Sequence, residues 1–98
     1  MLIQHKQNGS GGIFFIQDGH EDTVAALTYD QKDPGSIIIE HTEVDKALRG
    51  KDVGDQLIYK AVEFARSRHL KIHPICSFAR AVFEMKKEYR DVYAEVED

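Results

Sequence analysis

The residues best suited to chemistry lie between Ile37 and Gly54 and around Cys76. The apolar run Ile37-Ile38-Ile39 turns polar at Glu40-His41-Thr42-Glu43. It then passes through the charged loop Arg49-Gly50-Lys51-Asp52 and enters a helical pattern at Val53. Strand, loop and helix in this order aim backbone N–H groups at an anion, because the first N–H groups of a helix have no internal partner. With Arg49 and Lys51 in the same loop, the chemistry suggested is the binding of a phosphate-bearing ligand. The competing reading is that both are solvated loop charges. Asp52 suits a helix N-cap, where Asp stabilises by about 1 kcal/mol. Gly54 inside the first helical turn costs about 0.8–1 kcal/mol relative to Ala. Either relief of backbone strain or close approach of a ligand would account for it. Cys76 is the one cysteine. It is either a small buried hydrophobe or a reactive thiol, and its place just before a helix favours thiolate. A nucleophilic cysteine needs a base. His41 and His73 qualify if their strands are neighbours, and each also reads as a packed or surface histidine. The five histidines and one cysteine show no metal-ligand spacing, so no metal is expected.

The elements that must position these residues follow from hydrophobic periodicity. Leu2 to Asn8 reads as a short edge strand, and Asn8-Gly9-Ser10-Gly11-Gly12 as a turn. Ile13-Phe14-Phe15-Ile16 is a buried strand, Asp18-Gly19-His20 a second turn, and Thr23 to Tyr29 a third strand. Gln31 to Gly35 breaks that strand, with Pro34-Gly35 suited to a tight turn, and Ser36 to Glu43 is the fourth. Four strands joined by short turns imply an antiparallel meander. The period then changes. Val53, Leu57, Ile58, Ala61, Val62 and Ala65 form one face of a helix ending near His69. Leu70 to Ile75 reads as a fifth strand. A strand–helix–strand succession gives a right-handed crossover and a parallel pair, here strands four and five. Ser77 to Lys87 is a shorter second helix, and Tyr89 to Val96 a last turn or tail. Phe14-Phe15 and the Phe78, Phe83 stripe read as core. The fold class is α+β, in a single domain spanning residues 1–98.

Net charge is −4 and the isoelectric point about 5.7. This argues against nucleic acid as a partner, since backbone-phosphate binding needs a basic face, but leaves room for a small anion on a local patch. No apolar run is long enough to span a membrane and no signal sequence is evident, so the expected location is the cytoplasm. The expected state is a monomer or weak dimer.

The loop Arg49-Gly50-Lys51-Asp52-Val53-Gly54 resembles the acetyl-CoA loop of the Gcn5-related N-acetyltransferases (GNAT), whose pattern is Arg or Gln, two residues, Gly, one residue, then Gly or Ala. His41-Thr42-Glu43-Val44, this loop, the helix and Ile75-Cys76-Ser77-Phe78 together resemble the small single-domain, YjdJ-like branch of that superfamily. The resemblance covers Tyr29 to Tyr93. It implies a minimal three-layer GNAT-like fold in which strands four and five splay apart at the loop end. It further implies acetyl-CoA as co-substrate and an amine of unidentified identity as acceptor. His41, Thr42 and Val44 would lie near pantetheine, and Arg49, Gly50, Lys51, Asp52, Val53 and Gly54 around the pyrophosphate. Cys76 and Phe78 would lie near the thioester. Two departures stand out: Asp52 occupies the place of the first loop glycine, and Val82 that of a tyrosine which could have protonated the leaving thiolate. Two mechanisms fit. In one, the amine attacks the thioester directly, with Glu43 or a water taking its proton. In the other, Cys76 is acetylated first, with His41 among the candidate bases. The direct route is preferred because no base for the thiol is evident. The alternative function is an acyl-CoA-binding or protein-interaction module with little turnover.

Overall fold

The computed structural model describes residues 2–94. Strands β1 (Gln4–Asn8), β2 (Gly11–Gln17), β3 (Thr23–Asp33) and β4 (Ser36–Val44) form the expected meander. A short 3₁₀ turn (Lys46–Leu48) and helix α1 (Val53–Arg68) lead to β5 (Lys71–Pro74), and α2 (Ser77–Met85) follows, with a second 3₁₀ turn at Lys87–Tyr89. The sheet order is β1-β2-β3-β4-β5, antiparallel except for the parallel β4–β5 pair. This is the α+β architecture expected from the change of period. β3 is longer than its apolar segment suggested and runs to Asp33, so only Pro34-Gly35 makes the turn. Residues 95 and 96 of the expected tail lie outside the described residues.

The core lies between the sheet and α1. Leu57, Ile58, Ala61, Val62 and Ala65 present one wholly buried stripe to Leu27, Ile37, Ile39 and Ile72. Burying a side chain such as Leu27 or Ile58 contributes about 1.5–3 kcal/mol. α2 adds Ala79, Val82 and Phe83 to the same cluster. α1 ends on His69 in the left-handed conformation, with its N–H bonded back to Ala65 and Arg66, a common helix stop.

Gly11-Gly12 belongs to β2 and not to the turn. At Gly12 a Cβ would lie 2.3 Å from the Tyr29 ring, so that ring lies directly across the β2 backbone. The Tyr29 hydroxyl meets His5 Nε2 at 2.6 Å. His5 stacks on Phe14 with centroids 4.1 Å apart and meets Phe64 of α1 edge-on. This aromatic group fastens the polar edge strand β1 to the core. Burial and the nearby Arg68 charge lower the His5 pKa from its ordinary value. At the other edge, Ile72 N–H donates to Val92 and Ala94 N–H donates to Ile72, so the chain after α2 covers β5. Arg66 clamps that segment through Asp91 at 2.7 and 2.9 Å and the Glu88 carbonyl. The same guanidinium holds the Asp91 carboxyl below its ordinary pKa.

Two irregularities in β4 build the site. Tyr29 pairs with Ile39 and Thr28 with His41, so Glu40 is an extra residue, a β-bulge. Ile37 and Ile39 face the core. Strict alternation would send His41 and Glu43 there next, but the extra residue reverses the phase. Thr42 and Val44 therefore pair with the core-facing Leu27 and Ala25, while His41 and Glu43 turn to the opposite face. The second irregularity is the splay. Pairing with β5 ends at Ile39–Pro74, and Ile75 N–H still donates to Ile39 at 3.1 Å, but β4 continues to Val44.

Candidate functional site

The V between the end of β4 and the start of α2 opens into a cleft of about 840 Å³. Its floor is Ala25, Thr42 and Val44, one wall is the loop and first turn of α1, and Phe78 stands opposite. The loop is shaped locally. Asp45 caps the 3₁₀ turn by accepting from Lys46 N–H at 3.1 Å, and Leu48 packs on the core. Arg49 is extended, and Gly50 and Asp52 are both left-handed, at φ +82° and +58°.

Asp52 corrects one expectation. It holds the N-cap position, yet its side chain makes no capping hydrogen bond; a capping residue takes extended φ and ψ, whereas the Asp52 backbone is left-handed. That conformation is natural to glycine and tolerated by Asp. The glycine of the resembled loop therefore answers a backbone requirement that Asp52 meets with some strain. Gln56 N–H bonds to the Asp52 carbonyl. The N–H groups of Val53, Gly54 and Asp55 have no partner within the helix by its geometry. All three residues line the cleft.

Gly54 has a second explanation as well. A Cβ there would lie 2.7 Å from Phe78 Cζ, so the glycine gives room to an aromatic ring of this chain. Helical spacing placed Phe78 in the core and the resemblance placed it near the thioester; it is 42% exposed and lines the cleft. It sits in the first turn of α2, where β5 has already ended, so no sheet lies beneath it. Val82 is 8% exposed and belongs to the core cluster, away from the cleft wall.

Cys76 lies behind the cleft, at the apex of the V. Its Sγ–H donates to Thr42 Oγ1 at 3.6 Å, and Sγ accepts from Ala79 N–H at 3.3 Å, capping α2. Among the described residues, neither His41 nor His73 bonds to it. His73 pairs with Ile38 and, like His41, lies on the face of the sheet opposite the cleft.

Of the residues selected from sequence, Thr42, Glu43, Val44, Arg49, Gly50, Asp52, Val53, Gly54 and Phe78 line the cleft. His41, Lys51 and Cys76 do not. Thr23 to Ala26, Asp45, Lys46, Leu48 and Asp55 line it without having been selected. The small pair Ala25-Ala26 opposite Val44 and Glu43 was the available signal, but it needs the β3–β4 register to be read. The acidic residues Asp45, Asp52 and Asp55 accompany the basic residues Lys46 and Arg49 in the lining. Among the described residues, no group of His, Cys, Asp and Glu could hold a metal ion.

The sequence model of the GCN5-related N-acetyl-transferase family matches residues 13–92. The chain belongs to this family. A GCN5-like candidate N-acetyltransferase from Staphylococcus aureus, solved by NMR, is 38% identical over 96% of this chain and 90% of its own, with a TM-score of 0.75. More distant matches share the fold. A GNAT acetyltransferase from Elizabethkingia anophelis with acetyl-CoA bound is 14% identical, with TM-score 0.61 over 79% of this chain and 52% of its own. A ribosomal-protein-alanine N-acetyltransferase from Brucella melitensis is 16% identical, with TM-score 0.62 over 81% and 64%. No functionally curated protein matches the sequence. Family membership supports acyl transfer as the function of this GNAT domain. No helix among the described residues is long and apolar enough to cross a membrane.

Proposed function

We propose that the protein is an acetyl-CoA-dependent N-acetyltransferase acting on an amine. The observation that carries this reading is the start of α1. Three backbone N–H groups without helical partners line a cleft that also contains Lys46 and Arg49, beside a splayed parallel strand pair. Helix N-termini favour anions by roughly 0.3–1 kcal/mol where exposed, before any contribution from the cations. The diphosphate of CoA would be held by Val53 to Asp55 N–H, Arg49 and Lys46, with Gly50 and Lys51 shaping the loop. Beyond Ile39, β4 has no β5 partner, so its backbone from residue 40 to 44 is free to pair with the amides of pantetheine beside Thr42 and Val44. CoA supplies an activated acyl group. The chain's contribution is to bind it, align it and receive a proton.

An acceptor reaching the V from the opposite face of the sheet meets Glu43 and His41, which the bulge at Glu40 turns to that side. This supports Glu43 as the proton acceptor for direct attack. His41 is exposed and, among the described residues, makes no bond to Cys76 Sγ, which leaves the thiol without a base and favours direct transfer over an acetyl-cysteine. A second reading, a CoA-binding module with little turnover, is favoured by one observation: the acidic Asp52 in the lining of the anion end.

The test is titration with CoA, followed by release of free thiol from acetyl-CoA across a panel of amines. CoA is expected to shift the amides of residues 42–44, 50–54 and 76–78. Binding without turnover selects the second reading. Absence of any shift at millimolar CoA removes both.

A further inference from the structure

We propose that the outward face of α2 pairs with α2 of a second copy of this chain, antiparallel about a two-fold axis passing between Ala81 and Val82. α2 buries Ala79, Val82 and Phe83 and leaves its opposite face to solvent. A surface helix ordinarily keeps its apolar residues to the core stripe and is polar elsewhere. Here Phe78, Ala81 and Met85 follow one another at i, i+3 and i+7 along the exposed side, and Met85 is 79% exposed. With Ile75 just before the helix, Phe78 and Met85 make three of the five exposed large hydrophobic residues among the described residues. The apolar surface is gathered at one place, and gathered patches mark contact sites where scattered residues do not.

The flank of the stripe identifies the occupant. Arg80 and Glu84 are exposed beside it, one turn apart, and among the described residues neither forms an ion pair. A two-fold axis between antiparallel helices brings the residues on its two sides together in reciprocal pairs. The midpoint of Phe78 and Met85 falls between Ala81 and Val82. That of Arg80 and Glu84 falls on Val82, and Ala81 meets its own copy at its own position. Three separate pairings thus agree on one axis to within a residue, a rise of about 1.5 Å. About that axis each Phe78 ring packs on Met85 of the second copy, and each Arg80 meets Glu84 of the second copy. The small Ala81 side chains let the helices approach where they cross. A parallel pair would set Arg80 on Arg80 and Glu84 on Glu84, and a lipid surface or an apolar peptide would leave both charges without a counterpart. Phe78 also lines the cleft, so Met85 of the second copy stands at the cleft rim. Three large side chains and their flanks fall short of the roughly 800 Å² per partner of a standard interface, so the dimer is weak.

The experiment follows the full chain by analytical ultracentrifugation over a concentration series, on protein whose fold is verified by its amide spectrum. Wild type is expected to dimerise with a Kd on the order of 100 µM, as suits an interface below the standard size. Met85→Glu places a charge in the apolar stripe and should weaken the dimer by about tenfold or more. Arg80→Glu and Glu84→Arg each turn two attractive contacts per dimer into two repulsive ones and should each weaken it about tenfold. The two reversals in one chain exchange the charges and should return Kd to within about threefold of wild type. All three positions are exposed, so the variants are expected to keep the wild-type melting point. A wild type that stays monomeric to about 1 mM overturns the proposal and leaves the stripe to a different partner. A dimer that withstands Met85→Glu lies elsewhere on the molecule and overturns it as well. Single charge reversals without effect, or without recovery in the double variant, overturn the antiparallel pairing.

Discussion

Replacing Asp52 separates charge from backbone strain at the anion end of the cleft. Asp52 lines the cleft, its carboxylate makes no capping bond, and its φ is +58°. Asp52→Asn removes the charge and keeps a residue that tolerates the left-handed region. Asp52→Gly removes the charge and the strain, and Asp52→Ala removes the charge but worsens the strain. For a like-charge pair about 6 Å apart, the cost is about 0.7 kcal/mol in water and about 2.8 at an effective dielectric near 20. Asp52 is exposed, so the lower figure applies, which corresponds to about threefold in affinity. We expect Asp52→Asn and Asp52→Gly to tighten CoA by similar factors at low salt. The gain should vanish near 1 M salt, where the screening length is about 3 Å. Stability has a different order. Relief of left-handed strain, about 1 kcal/mol, is offset in Asp52→Gly by about 0.4–1 kcal/mol from the freer unfolded chain. That variant and Asp52→Asn should therefore melt near wild type, while Asp52→Ala falls by about 1 kcal/mol, or roughly 4–8 °C for a domain this size. Calorimetric titration at two salt concentrations and thermal melts measure both. Unchanged affinity in both uncharged variants would refute the electrostatic argument. Tightening in Asp52→Gly alone would assign the effect to the backbone, and a loss in Asp52→Asn would mean that the carboxylate organises the loop.

Gly54→Ala should change global stability little, since the helix-propensity gain of about 0.8–1 kcal/mol is spent displacing the Phe78 ring. The ring shifts and CoA affinity should both change, and Phe78→Leu in the same chain should restore affinity, measured as a double-mutant cycle. Arg49→Gln should weaken CoA about fivefold at low salt, an exposed charge contact of about 1 kcal/mol, and leave the melting point unchanged; an equal loss at high salt would contradict a charge contact. His5 has its folded pKa lowered from 6.5, so the unfolded chain binds the proton more readily. Stability should therefore fall as pH drops below 6.5 and level off once pH is below the folded pKa. His5→Gln should flatten that fall in a pH series of denaturant melts, and an unaltered slope would place its origin elsewhere.

The β4–loop–α1–β5 unit was legible because its signals are periodic. Ile37 to Ile39 reads as a buried strand, and the spacing of Val53 through Ala65 leaves one apolar face. A helix joining two strands leaves essentially one handedness. What escaped the sequence depends on backbone geometry that residue types do not encode. The bulge at Glu40 decides whether His41 or Thr42 meets the cleft, and nothing in Glu40-His41-Thr42-Glu43 announces it. The failure of Asp52 as a side-chain cap comes from its left-handed φ, although Asp is a preferred capping residue type. Gly12 reads as part of a turn, and Gly54 as relief of backbone strain or room for a ligand, whereas each accommodates an aromatic ring of the chain itself, Tyr29 and Phe78. Phe78 shares helical spacing with the buried Val82 and Phe83, but stands one turn too early to have sheet below it.

The placement of unpaired backbone follows from these ties. Buried N–H and C=O groups need partners, and a sheet edge left open invites another chain. β1 is a short polar edge carrying Lys6 and fastened through His5, and the outer side of β5 is bridged by residues 92–94 under the Arg66–Asp91 clamp. Inside the sheet, the unpaired stretch is the end of β4, where β5 stops at Pro74 and the chain turns through Cys76 into α2. If this gap were only loose packing, the cheaper structure would extend β5 by several residues and satisfy those groups internally. Instead the bulge, the loop with two left-handed residues and the cysteine cap all hold the gap open, and Lys46 and Arg49 stand at its mouth. A domain of this length has little stability to spare. Irregularities gathered at one place, while both outer edges are tied, point to that place as the one where function constrains the fold.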